Sequence, residues 1–151
     1  MIKIIGVVIG LLMLFLLLGG EKVFEPQDNT DCDIQKGACI KKLSGDIVAE
    51  FDITPKPVKT MTPETFIVRL KKSGTPVRDA AVTLDLRMLG MQMGVNKTVL
   101  PHKKDGTYEG SAIIVRCPSG RKIWGAYISA DIPQPDKPLQ ASASYIFKVA
   151  R

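Results

Sequence analysis

From residue 46 onward, apolar and polar residues alternate with a period of two, and this pattern restricts the fold more than any other feature. In the first such segment the apolar face consists of Ile47, Ala49, Phe51 and Ile53. Successive side chains of a β-strand point to opposite faces of the sheet, so the pattern predicts a strand with one buried face. The alternation recurs in six further segments separated by turns that contain Gly or Pro: 66–71, 82–87, 96–100, 108–115, 121–130 and 143–149.

About seven strands without a helical pattern between them indicate an all-β domain over residues 46–151. An immunoglobulin-like antiparallel β-sandwich satisfies the strand number and spacing. The residues expected to fill the space between its two sheets are Phe51, Phe66, Val68, Leu84, Leu86, Ile114, Trp124 or Tyr127, and Phe147.

The N-terminal residues 1–20 predict a hydrophobic helix that acts as a signal-anchor or as a signal peptide. Residues 4–20 contain no charged side chain, and Lys3 precedes them. As a helix this run spans about 25 Å, the low edge for crossing a bilayer. In both cases residues 21–151 are exported, because the positive charge of Lys3 stays on the cytoplasmic side. We therefore expect a single-pass membrane protein with its domain in the periplasm, or a secreted protein if cleavage occurs near Gly19-Gly20. Residues 21–45 are polar and rich in turn residues, so we interpret them as a tether.

Three cysteines, Cys32, Cys39 and Cys117, agree with export to an oxidising compartment. Six residues separate Cys32 from Cys39, which favours a short loop disulfide between them, although Cys117 could instead pair with either. The spacing differs from the C-x-x-C motif of thiol oxidoreductases, so redox catalysis is not favoured. Cys117 is then the unpaired thiol.

An enzymatic function is not expected. The chain has one histidine, His102, placed beside two lysines near a predicted hairpin, and it lacks nucleophile, phosphate-loop and metalloprotease motifs. The net charge is +6, but export and the small number of aromatic residues exclude nucleic acid as a partner. An anionic membrane surface or an acidic partner fits this charge, as do ordinary solvated strand faces.

The segment 88–94 is unusually rich in methionine. Met88, Met91 and Met93 lie within it, and two glycines indicate a loop or bulge. Thioethers and thiolates are soft ligands that suit Cu(I), and His102 or Cys117 could complete such a site. The alternative is structural: methionine fills irregular gaps in cores, and alternation places Met91 and Met93 on one side of a strand.

Three ordered segments of this chain resemble the YtkA-like/FixH-like group of exported bacterial domains. They are the strand and Met-containing loop over 82–96, the D-G-T-Y-E-G segment at 105–110, and R-C-P-S-G-R-K-I-W at 116–124. The resemblance covers roughly residues 46–149. It implies an immunoglobulin-like sandwich tethered to the membrane and facing the envelope space, in a group often associated with copper handling or with the assembly of respiratory copper enzymes.

Within this resemblance, Met88, Met91 and Met93 match the family's loop, and Leu89 stands where proline is expected. The loop lacks histidine, which points to Cu(I) over Cu(II). The leading hypothesis is reversible Cu(I) binding, mainly by Met91 and Met93 with support from Met88, Cys117 or His102. The expected partner is a copper enzyme or a copper carrier protein. The rival hypothesis is a metal-free interaction or structural module of the cell envelope.

Overall fold

The computed structural model describes residues 29–150, and this part of the chain consists of β-strands joined by turns and loops. The strands are β1 Cys39–Leu43, β2 Ile47–Thr54, β3 Pro63–Lys72, β4 Thr75–Pro76, β5 Ala81–Met88, β6 Lys97–Leu100, β7 His102–Lys104, β8 Thr107–Ile113, β9 Ile123–Ile132 and β10 Leu139–Lys148. The predicted helix over 1–20 lies outside the described residues. Between residues 29 and 150, no helix combines the length and apolar character that crossing a membrane requires.

The strands form two antiparallel sheets. One has the order β1-β2-β3-β8-β7, with β4 paired to β3, and the other has the order β10-β9-β5-β6. The seven predicted strands correspond to β2, β3, β5, β6, β8, β9 and β10. The prediction of an all-β domain with antiparallel sheets is confirmed, and its immunoglobulin-like classification stays a prediction.

Three short strands were not predicted, because none buries a full apolar face. β4 has two residues, and all three side chains of β7 are exposed. β1 pairs with β2 from Cys39↔Phe51 to Leu43↔Ile47, and its side chains are only half-buried or exposed. The segment 21–45 is therefore not a tether throughout, since it contributes an edge strand.

The core between the sheets contains the predicted residues. Phe51 and Phe66 are fully buried, and so is Trp124, whereas Tyr127 lies on the opposite face of β9 beneath the guanidinium of Arg87. The sheets contact each other through Tyr145 of β10: its ring centroid lies 5.1 Å from that of Phe51. Burial of one inner face from each sheet accounts for the alternation in the sequence.

The hydroxyls of two buried tyrosines form hydrogen bonds with backbone groups. The Tyr108 hydroxyl donates to the carbonyl of Val77 at 2.9 Å and accepts from the amide of Ala80 at 3.1 Å, which fixes the loop between β4 and β5. The Tyr145 hydroxyl donates to the carbonyl of Ala49 at 2.8 Å, from one sheet to the other. Burial raises the pKa of both phenols, so both stay protonated donors at neutral pH.

Consecutive strands reverse direction, except that β4 continues into β5 and β6 into β7, so the loops collect at two ends of the sheets. Loops 55–62, 89–96 and 114–122 lie at one end together with the turn at 33–38. Hydrogen bonds join them: the amide of Met61 donates to the carbonyl of Ile114 at 2.8 Å, and that of Leu89 to the carbonyl of Ile123 at 3.3 Å. The opposite end consists of 44–46, 73–80, 101–106 and 133–138.

Candidate functional site

Within residues 29–150, the sulfur atoms outside the disulfide gather at one end of the two sheets. We call loops 55–62, 89–96 and 114–122 the sulfur-bearing end; they carry Met61, Met91, Met93 and Cys117, and β5 delivers Met88 to its edge. The sequence pointed to four of these five residues.

The Met-rich loop is a tight turn that follows β5. Its central Gly90 has a φ of 72°, a conformation that glycine adopts without the steric penalty of a side chain. The chain folds back so that the amide of Met91 donates to the carbonyl of Met88 at 3.4 Å, and the amide of Met88 donates to the Sδ of Met93 at 3.3 Å. The thioether of Met93 therefore lies over the backbone at the end of β5.

The three methionines have different environments. Met88 is only 3% exposed and belongs to the core, because it follows Leu84 and Leu86 on the inward face of β5. Met91 is 42% exposed, and Met93 is half-buried against the core. The predicted support of a metal by Met88 therefore does not fit its position. The interpretation of methionine as core filling is correct for Met88 but not for Met91.

Cys117 is the free thiol, since Cys32 and Cys39 form the predicted disulfide with their Cα atoms 5.7 Å apart. The pairings of Cys117 that the sequence left open are therefore wrong. Its Sγ is buried at 4% residue exposure and lies 2.9 Å from the Oγ of Ser119. Hydrogen bonding from Ser119, helped by backbone amides and the positive charge of Arg121, lowers the pKa of this thiol, although burial acts in the opposite direction.

Arg121 joins the loop of Cys117 to the Met-rich loop. Its Nη1 donates to the carbonyl of Gly90 at 2.7 Å. A Cβ at Gly90 would lie 2.7 Å from the same Nη1, so a larger residue there would displace the guanidinium. This contact, which we call the Arg121 clasp, places the loop of Cys117 beside the loop of Met91 and Met93, although 24 positions separate Met93 from Cys117 in the sequence.

His102 lies at the opposite end of the sheets and does not join the sulfur atoms. Leu100 pairs with Val82, and Met88 lies six positions beyond Val82 in β5. At about 3.3 Å per residue that distance is about 20 Å. The exposed imidazole lies against the ring of Tyr108, with centroids 5.3 Å apart. Sequence proximity suggested His102 as a ligand, but β6 carries the chain away from the Met-rich loop.

Met61 is the residue that sequence reasoning missed. It is 59% exposed, and its Sδ accepts a hydrogen bond at 3.4 Å from the amide of Arg116, next to Cys117. The buried carboxylate of Glu64 shapes this loop by accepting hydrogen bonds from the amide of Lys59 and the hydroxyl of Thr62, both at 3.0 Å. Counting strand reversals would have placed the loop at the same end as the Met-rich loop, but no local motif marks it.

Within residues 29–150, no group of three or more His, Cys, Asp or Glu residues is arranged to hold a metal ion. Residues 45–116 match the family model described as YtkA-like. Residues 45–116 are therefore similar to YtkA-like domains. The resemblance that the sequence suggested to the YtkA-like family is confirmed.

The YtkA-like match extends from just before β2 to the residue before Cys117. It therefore includes the Met-rich loop but none of the three cysteines, and the disulfide and the free thiol are features of this chain outside the matched segment. No curated protein matches this chain, and no solved structure does either.

Proposed function

We propose that this protein is a membrane-anchored, envelope-facing domain that binds Cu(I) reversibly and assists copper trafficking or the assembly of a respiratory metalloenzyme. Met91 and Met93 are the principal ligands, with Cys117 as a third. The observation that carries the proposal is the Arg121 clasp, which holds the loop of the exposed Met91 and the half-buried Met93 beside a loop with a buried free thiol of lowered pKa.

The donor chemistry fits Cu(I). Thioethers and thiolates are soft ligands, and they favour Cu(I) over harder cations. The thiol must lose its proton to bind a metal, and the hydrogen bond near Ser119 makes that loss easier. Bound Cu(I) would supply an exchangeable soft cation, and the protein's part is to present and release it without turnover.

The disulfide between Cys32 and Cys39 supports the envelope location, because such bonds persist in oxidising compartments. The apolar run at 4–20 supplies the proposed anchor. The partner in this proposal is a copper enzyme or a copper carrier protein.

The test is a titration of the purified full chain with Cu(I) against a chromogenic Cu(I) chelator, under oxygen-free conditions that keep the disulfide intact. We expect the Met91→Leu/Met93→Leu variant to bind Cu(I) at least about 100-fold more weakly. Loss of a group that only hydrogen-bonds to a metal ligand already lowers metal affinity by about 10–100-fold. Leucine conserves the volume of methionine, so the fold should be retained.

The matched control is Met61→Leu, which removes an exposed methionine from another loop at the same end and should leave the affinity unchanged. If both variants bind Cu(I) as the unaltered chain does, the metal site is refuted. The rival function, a metal-free contact module, would then replace it.

A further inference from the structure

Charge is distributed unequally between the two ends of the sheets. The three loops of the sulfur-bearing end contain five basic residues and no Asp or Glu: Lys56, Lys59, Arg116, Arg121 and Lys122. The adjoining turn at 33–38 adds only an ion pair, in which the Nζ of Lys36 lies 2.7 Å from Asp33. The loops of the opposite end are balanced, with four basic residues (Arg78, Lys103, Lys104 and Lys137) and four acidic residues (Asp46, Asp79, Asp105 and Asp136).

The charges at the sulfur-bearing end are largely uncompensated. Lys56 pairs with Asp52 of β2 at 2.6 Å. The side chains of Lys59 and Arg116 are exposed and have no hydrogen-bond or ion-pair partner within residues 29–150. A positive surface of this kind attracts negative surfaces and raises their rate of association.

Exposed apolar side chains are concentrated at the same end. Four of the seven large hydrophobic residues with exposed side chains in the described chain lie on its loops: Met61, Met91, Val95 and Val115. Val95 is 87% exposed, and Met61 is 59% exposed. Apolar contacts with an arginine-containing polar rim are typical of protein–protein interfaces, in which methionine and arginine are enriched.

We propose that the sulfur-bearing end docks a partner protein with an acidic face. Met61, Val95 and Val115 supply the apolar contact, and Lys59, Arg116 and Arg121 supply the basic rim. The inference rests on charge and exposure and goes beyond the proposed metal binding, so it can be tested on the metal-free protein.

Two other occupants fit this surface less well. A second copy of the chain would bring two basic rims together, which is repulsive. An anionic membrane favours Trp, Phe or Leu in the inserted surface, and none of the four exposed apolar residues is of these types. The chain's single Trp124, which pairs with β5 near this end, is fully buried.

The probe is a short fluorescent peptide with Glu at every second position and Leu or Met between, compared with an analogue in which Lys replaces Glu. Binding to the metal-free full chain is measured by fluorescence anisotropy at about 0.01 M and about 1 M salt, where the Debye length falls from about 30 Å to about 3 Å. We expect the acidic peptide to bind at low salt, the Lys analogue not to bind, and high salt to weaken the complex.

Two variants with the same change in net charge locate the surface. Lys59→Glu/Arg116→Glu at the sulfur-bearing end should weaken peptide binding at least about tenfold, because like charges then face the peptide. Lys103→Glu/Lys104→Glu at the opposite end should weaken it less than about twofold. Val95→Ser/Val115→Ser keeps the charge and should also weaken binding, since it removes apolar contact.

The proposal is overturned if the acidic peptide does not bind, or if the variants at the two ends weaken it equally. It is also overturned if substitutions in the basic rim weaken binding only to vesicles of phosphatidylcholine and phosphatidylglycerol, because a membrane surface would then be the occupant. Each result is independent of whether Cu(I) binds.

Discussion

Arg121→Ala removes the Arg121 clasp, and it affects Cu(I) binding in two ways: through the position of the Met-rich loop and through the charge near it. The substitution deletes the hydrogen bond from the guanidinium to the carbonyl of Gly90, which holds the Met-rich loop in its turn. It also deletes a positive charge near the proposed Cu(I) ligands. Loss of preorganisation weakens Cu(I) binding, whereas loss of a like charge strengthens it, so the sign of the change shows which effect dominates.

The size of the expected change follows from the contact. A hydrogen bond with a charged donor contributes about 1.5–3 kcal/mol in general, but Arg121 is exposed and solvent screening reduces its contribution to about 1 kcal/mol. Since 1.4 kcal/mol corresponds to a factor of ten, about 1 kcal/mol corresponds to roughly fivefold weaker Cu(I) binding. Amide hydrogen exchange over 89–94 should accelerate by a similar factor, with or without copper.

The control is Arg116→Ala, which removes the same charge from the same loop but breaks no side-chain contact within residues 29–150. Its Cu(I) affinity should be unchanged or slightly higher. Competition with a Cu(I) chelator measures both variants. Equal effects of the two substitutions, or tighter binding in Arg121→Ala, would refute a positioning role for the clasp.

Two further predictions concern buried groups. Tyr108→Phe should lower the free energy of unfolding by about 2 kcal/mol and Tyr145→Phe by about 1 kcal/mol. The reason is that the Tyr108 hydroxyl makes two hydrogen bonds to the backbone and the Tyr145 hydroxyl makes one. Urea unfolding measures both changes, and the opposite order of the two would contradict this reasoning. Thiolate absorbance should show Cys117 titrating at lower pH than an ordinary cysteine, with Ser119→Ala raising the midpoint, and an unchanged midpoint would exclude Ser119 as the cause. Because the pKa of Cys117 is lower in the folded protein than in the unfolded protein, its thiolate stabilises the fold fully above the pKa of the unfolded protein. This stabilisation is lost as the pH falls through the pKa of the folded protein.

The predictable strands are those that bury one face. β2 and β3 alternate buried and half-buried side chains along most of their length, and their positions follow from the sequence. β1 and β7 pair at the margins of the sheet and bury little, so their sequences carry no apolar alternation. Backbone hydrogen bonding to a neighbouring strand creates such elements, and a neighbour is not visible in a local pattern.

The candidate site was predictable only in part, for a similar reason. The composition of the Met-rich loop indicated soft ligands, and the spacing of Cys32 and Cys39 indicated their disulfide. The sequence could not show that Met88 is buried and Met91 is exposed. This difference depends on where β5 ends and the turn begins. Gly90 and its clasp with Arg121 decide that point.

The sequence by itself determined the strand-rich domain, the apolar faces that form its core, the family to which the domain is similar and the soft character of the Met-rich loop. These properties depend on the local order of residue types, since burial of one strand face and ligand chemistry are both local. The tertiary structure alone decided that Met61, Met91, Met93 and Cys117 share one end, that His102 lies at the other, and that the basic loops adjoin the sulfur atoms. Strand reversal brings together loops that are far apart along the chain, and only strand pairing fixes which loops meet.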